Sequence, residues 1–162
     1  MMGTRSGSVD PGILIHLMRE SDLSADDLDR MLNRASGLQG ISGISNDMRQ
    51  IFAEIESGSD RAQLALDIFV HRLRSHMGAM LASLGGLDAL VFTAGIGEHS
   101  PPIRALACEA FEFLGVKLDP ARNEASPVDE DITFPNAKVR VLTIKAREEW
   151  AIAEDCWRLT TQ

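Results

Sequence analysis

The sequence predicts a helix-rich α/β domain with a thin, mostly parallel and incomplete sheet. Three observations predict it. Apolar residues recur at three- and four-residue spacing over long stretches, most clearly over 60–84, which is the pattern of helices with a buried face. Two short apolar runs, at 89–92 and 139–144, read as buried strands. A helical stretch over 101–114 lies between them, so the two strands run parallel through a right-handed crossover. At 162 residues the chain has the size of one domain, taken here as 1–162.

The elements follow in order. Residues 1–8 are polar and glycine-containing, hence a loop. Asp10 then Pro11 reads as an N-cap and first helical residue. Ser24 with Asp27 three positions on is a capping-box pattern that opens a second helix, running to Ala35 before Gly37. The stretch "GLQGISGISNDMRQ" has glycines at 37, 40 and 43 and reads as an extended loop. It reaches an N-cap at Ser45 or Asn46 and a short helix over 47–56. The helix over 60–84 is apolar on many faces, so much of it is expected to be buried; Gly85 and Gly86 end it. A loop over 93–100 follows the first strand, then the helix over 101–114 closed by Gly115. Short strands are expected near 116–118 and 132–134, the second long strand over 139–144, and a closing helix from Arg147 or Glu148 to Leu159. A sheet this thin leaves a strand without neighbours on both edges, which marks it as incomplete.

Composition narrows the function. A net charge of −8 argues against sequence-independent nucleic-acid binding. The apolar runs are too short to cross a membrane, and the N-terminus lacks the apolar stretch of a signal peptide, so a cytoplasmic address is expected. Cys108 and Cys156 have no metal-type spacing and read as small buried hydrophobes. His16, His71 and His76 lie on helical stretches and read as packing or surface residues.

The chemistry concentrates in "ALVFTAGIGEHSPPIRAL". Gly95 and Gly97 allow close backbone approach to a ligand. Ser100 is placed to cap the next helix, with Pro101 in its first turn, and a helix N-terminus offers free N–H groups to an anion. The loop sits at the carboxyl end of a parallel strand, where open α/β sheets bind ligands. No Gly-Lys-Ser/Thr follows, and Ser100 stands where a dinucleotide fingerprint has its third glycine. On these grounds a ligand loop and an ordinary tight strand-to-helix turn both satisfy the pattern.

"DALVFTAGIGEHS" resembles the "VFTGGIGEN" signature of the acetokinase family, the acetate and propionate kinases. "MGTRSGSVDPGILIHL" is similar to the family's "MGTRSGDIDP", and "SGLQGISGISNDMR" to its "SGLLGISGISSDFR". "AQLALDIFVHRLRSHMGAM" resembles its long helix, "FLGVKLDPARNEA" its "FLGFKLDKERN", and "REEWAIAEDCWRL" its terminal "NEELMIARDT". The likeness covers essentially the whole chain in order. It implies the C-terminal part of a ribonuclease-H-like domain of the sugar-kinase, Hsp70 and actin type, with nucleotide held between two such domains. It also implies reversible transfer of the γ-phosphoryl group of ATP to acetate or another short-chain carboxylate, with Mg²⁺ as cofactor.

The resemblance assigns roles. Arg5 matches the arginine that contacts the transferring phosphoryl group, where a planar guanidinium suits spreading charge. Asp47, Met48 and Arg49 match residues lying against the nucleotide. Gly95, Ile96, Gly97, Glu98 and His99 match the loop whose backbone faces ATP or ADP, with His99 in place of an asparagine. Glu148 matches a glutamate near Mg²⁺, although Lys145, Ala146 and Arg147 depart from the family's usual Pro-Thr-Asn. Family members are much longer, so the chain is expected to be the C-terminal piece with the N-terminal domain absent, and to have negligible kinase activity alone. A homodimer or a partner N-terminal chain is expected. A non-catalytic nucleotide-binding or dimerisation module, and a decayed remnant, are the alternatives.

Overall fold

The computed structural model describes residues 1–125 and 127–161. It divides into two compact units, Met1–Ala79 and Met80–Gln162.

The first unit holds α1 (Pro11–Glu20), α2 (Ala25–Arg34), α3 (Gly37–Ser42), α4 (Met48–Glu56) and most of α5 (Asp60–Leu84). The starts of α1, α2 and α4 are set by local chemistry. The Asp10 carboxylate accepts from Gly12 N–H at 2.7 Å, and Ser24 and Asp27 form a reciprocal capping box. α4 is capped by Asp47, one or two residues beyond the positions the sequence suggests. The core is Leu28, Leu38, Met48, Ile51, Ala62, Ala65, Leu66 and Val70.

Residues 37–42 are helical, not extended. The glycines there serve close approach rather than chain breaking. Gly37 has φ +60°, and a Cβ on it would lie 2.3 Å from the Met2 carbonyl oxygen. That contact exists because the N-terminal segment is hydrogen-bonded to α2 and α3. Leu38 N–H donates to Met2 O at 2.9 Å, Gln39 N–H to Gly3 O at 3.0 Å, Ser36 N–H to Thr4 O at 2.9 Å, and Ser6 N–H to Leu32 O at 2.7 Å.

The second unit contains β1 (Ala89–Phe92), α6 (Ala94–His99), α7 (Pro101–Glu109), a 3₁₀ turn at Glu112–Leu114, α8 (Pro120–Glu124), β2 (Glu130–Asp131), β3 (Arg140–Thr143) and α9 (Glu148–Thr160). The sheet order is β1-β3-β2. β1 pairs with β3 in parallel, Ala89 opposite Arg140 through Phe92 opposite Thr143. β2 runs antiparallel to β3, so this small sheet is mixed. The short strands expected near 116–118 and 132–134 reduce to bridges, Val116 with Val139 and Leu118 with Thr133. The helix expected over 101–114 ends at Glu109; Phe111 N–H bonds Cys108 O, which tightens the chain into the 3₁₀ turn. Phe92, Ile103, Ala107, Cys108, Phe111, Val116, Ile132, Val139 and Val141 form the core.

Three burial expectations fail together. β1 buries only Phe92 among its four residues. α5 buries Ala62, Ala65, Leu66 and Val70 in its first three turns, whereas Met80 and Leu84 are exposed. Cys108 is buried but Cys156 is exposed, because no residue of α9 is buried. Apolar spacing records which face a helix would cover, not whether the cover is present.

Candidate functional site

β1 delivers the chain to the glycine segment at Phe92. Thr93 is extended, and Ala94 then takes φ +59°. That left-handed conformation is costly for a residue with a Cβ. Residues 94–99 are a short helix rather than the loop expected over 93–100. Six residues with two glycines do not hold a helix unaided, so the stabilisation is tertiary.

It comes from Arg104, whose side chain is 0% exposed. Its Nη1 donates to Gly97 O at 2.9 Å and to Glu98 O at 2.8 Å. Its Nε donates to Asn123 Oδ1 and its Nη2 to Asn123 O, both at 2.7 Å. Asn123 Nδ2 in turn donates to Pro101 O at 3.0 Å, and Ser100 N–H donates to Ile96 O at 3.0 Å. The carbonyls of Ile96, Gly97 and Glu98 at the carboxyl end of α6 are thereby bound. Burial pulls the guanidinium pKa below its ordinary value, opposed by Glu124 and Cys108.

The amino end of α6 is different. Its first-turn N–H groups have no partner within the helix, and among the described residues the Thr93 side chain caps none of them. A Cβ on Gly95 would meet no described heavy atom within 4 Å. The fold therefore does not require glycine at 95, and its open side is free for something else. The next helix contributes less than the sequence suggests. Pro101 and Pro102 lack N–H donors, and the Ser100 side chain makes no capping bond.

Glu98 carries a structural link. Its Oε1 accepts from Ala146 N–H at 2.7 Å, tying α6 to the turn before α9. Asp129 organises that same turn: Oδ1 accepts from Lys145 N–H at 2.9 Å, and both carboxylate oxygens accept from Arg147. The Arg147 bond, then the Lys145 N–H, hold the Asp129 carboxyl below the usual range. The Arg147 charge is thus matched by Asp129. Glu148 opens α9 and is exposed. No group of three His, Cys, Asp or Glu side chains among the described residues is arranged to hold a metal. A single carboxylate of this kind fits a Mg²⁺ that arrives on phosphates and keeps several waters. Ile96 and His99 are exposed on α6.

In the first unit, Arg5 is exposed on the segment pinned between α2 and α3, and its guanidinium has no ion pair among the described residues. Asp47 and Arg49 are folded on one another. Arg49 Nε lies 3.0 and 3.1 Å from the two carboxylate oxygens, Nη2 lies 2.5 Å from Oδ2, and Arg49 N–H donates to Oδ1 at 2.9 Å. These hydrogen bonds hold the Asp47 carboxyl down to about 2. Met48 is packed into the core at 5% exposure.

Arg104 and Asn123 escaped the sequence reading. The available signal was an arginine within the apolar stripe of α7, beside Ile103 and one turn from Ala107 and Cys108, where a solvated charge does not belong.

Residues 1–154 match the profile of the acetokinase family. The chain is similar to the acetate kinase of Trichormus variabilis, 64% identical over 159 residues that cover 98% of this chain and 39% of that protein. It is 62% identical to the acetate kinase of Gloeobacter violaceus over 158 residues, 98% of this chain and 39% of the relative. Among solved structures, Porphyromonas gingivalis acetate kinase superposes with a TM-score of 0.86 at 41% identity, over 96% of this chain and 39% of that one. A propionate kinase from Francisella tularensis gives 0.82 at 37% identity, over 94% and 38%. The chain thus spans about two-fifths of the length of the curated relatives it matches. With an ordered set of motifs, a shared fold and a family match running almost end to end, the chain belongs to the acetokinase family, of which it represents a C-terminal portion.

Proposed function

We propose that this chain supplies the nucleotide-binding part of a carboxylate phosphotransferase, transferring the γ-phosphoryl group of ATP to acetate or a similar short-chain acid. The observation that carries the reading is the α6 turn. Arg104 holds the carbonyls of Gly97 and Glu98 at its carboxyl end, no Thr93 side-chain cap covers its amino end among the described residues, and the space over Gly95 is open. Gly95, Ile96, Gly97, Glu98 and His99 would present this backbone to ATP or ADP. Glu98 would do so through its main chain, since its carboxylate holds Ala146.

Arg5 would hold the phosphoryl group in transfer, and the hydrogen bonds on both sides of it keep its backbone in place. Asp47 and Arg49 would contact the nucleoside, while Met48 supports them from the core. Glu148 would hold Mg²⁺ through bound water; the ion, when present, neutralises charge on the phosphates. Exposed Trp150, Ile152, Trp157 and Leu159 on α9 support a second proposal, that this helix is covered by another copy of the protein. No helix among the described residues is long and apolar enough to cross a membrane.

Calorimetric titration of the chain with ADP and Mg²⁺ tests the nucleotide reading; saturable one-to-one binding is expected, and no heat at millimolar nucleotide defeats it. Mixing the chain with the remaining portion of a related acetate kinase and assaying acetyl phosphate tests the catalytic reading. Light scattering tests the pairing: a dimer is expected, and a stable monomer at micromolar concentration contradicts it.

A further inference from the structure

We infer that Arg104 is a positioning residue for the nucleotide seat: together with Asn123 it caps the carboxyl end of α6 from inside the protein and so fixes the backbone that α6 presents. The inference rests on the reading above that residues 95–99 face the nucleotide.

Four observations carry it. First, α6 is too short and too rich in glycine to persist by propensity. Ala94 in a left-handed conformation opposes it further. Second, Arg104 is fully buried and its bonds go to neutral acceptors: three carbonyl oxygens and an amide oxygen. Removing a charge from water is unfavourable unless every donor is used well. A packing role in the apolar stripe of α7 would be filled better by leucine or methionine. Third, the planar fork joins separate segments. One edge holds the consecutive carbonyls of Gly97 and Glu98; the other holds both oxygens of Asn123 on α8. Asn123 is itself 2% exposed, and its amide reaches Pro101 at the start of α7. Fourth, a trans peptide sets its N–H opposite its carbonyl. Fixing the carbonyls of Gly97 and Glu98 therefore fixes the rotation of those peptide planes. A cation at this end also complements the helix dipole.

Lysine cannot reproduce this arrangement, because its ammonium is a point donor without a fork. The test uses the full chain and the variants Arg104→Lys, Asn123→Ala and Asn123→Asp, the last of which keeps an oxygen facing Nε. Amide hydrogen exchange is read over 94–100 and over β1 and β3, and ADP affinity is measured by calorimetry. In Arg104→Lys and Asn123→Ala, exchange at 97–100 is expected to quicken about tenfold or more, as loss of hydrogen bonds to a charged group implies. β1 and β3 should keep wild-type protection. ADP should bind about tenfold more weakly in both variants, with Asn123→Asp restoring most of the affinity.

Unchanged exchange at 97–100 in a folded variant overturns the inference. So does quickened exchange with unchanged ADP affinity, which would make the clasp purely structural. If Arg104→Lys does not fold, the two Asn123 variants decide by the same criteria. If the wild-type chain binds no ADP, the nucleotide reading itself fails and takes this inference with it; if wild type binds and the variants bind equally well, only the inference fails.

Discussion

α6 and α9 lie in the same unit and are held in opposite ways. α6 has six residues, two of them glycine, and a first residue in an unfavourable conformation. Its order comes from a buried guanidinium six and seven residues further along the chain from the carbonyls it holds. α9 has thirteen residues, acidic groups in its first turn and Arg158 in its last, so its order is local. Yet it buries nothing, and Trp157 is 71% exposed. The weak helix is anchored where ligand chemistry is expected, and the strong helix is left bare where a partner is expected. Intrinsic propensity says little about which element the site depends on.

The comparison breaks most visibly in thiol chemistry. Cys108, one turn beyond Arg104, is buried and its thiol is pushed up to about 12, first by burial. Cys156 is exposed on α9. A thiolate-selective reagent should modify Cys156 quickly. Cys108 should react slower by about a thousandfold or more from its thiolate fraction alone. Two equally fast thiols would mean that the α7 core is open.

Truncating the anchors is the next largest contrast. Arg104→Met leaves the carbonyls of Gly97, Glu98 and Asn123 without their donor and should lower unfolding free energy by about 3 kcal/mol in denaturant titration. Trp157→Ala removes a larger apolar surface but should change it by less than about 0.5 kcal/mol in chain diluted until it is monomeric. Equal losses would show that α9 is packed in solution.

Gly95→Val separates fold from function at α6. The space beyond a Cβ at 95 is open, so unfolding free energy should shift by less than about 1 kcal/mol. ADP binding should weaken about tenfold or more, because the side chain occupies the approach to the backbone. Unchanged affinity would place the nucleotide elsewhere. The smallest effect is expected from Ala94→Gly. At φ +59° it should stabilise the chain by about 1 kcal/mol, measured in the same denaturant titration.

The same contrast explains what the sequence could reveal. Elements set by local chemistry are legible: the Asp10 cap, the Ser24–Asp27 box, the 60–84 helix and the strand at 89–92 all lie where the pattern puts them. α3 and α6 are hidden because their glycines read as breakers, whereas distant groups hold both as helices. For α3 these are the carbonyls of Met2 and Gly3, for α6 the fork of Arg104. The motif residues of the candidate site can be read from their order along the chain. Their supports cannot: Asn123 is nineteen residues from Arg104, and Ala146 is forty-eight from Glu98. Contacts of that range leave only an indirect trace, such as an arginine on an apolar stripe.

The most direct measurement is amide hydrogen exchange of the intact chain with and without saturating ADP and Mg²⁺. The expected result is slowed exchange at the amides of 94–97 on nucleotide addition, with α9 unchanged. Unchanged exchange at 94–97, or nucleotide protection confined to other segments, would contradict the assignment of α6 as the nucleotide seat.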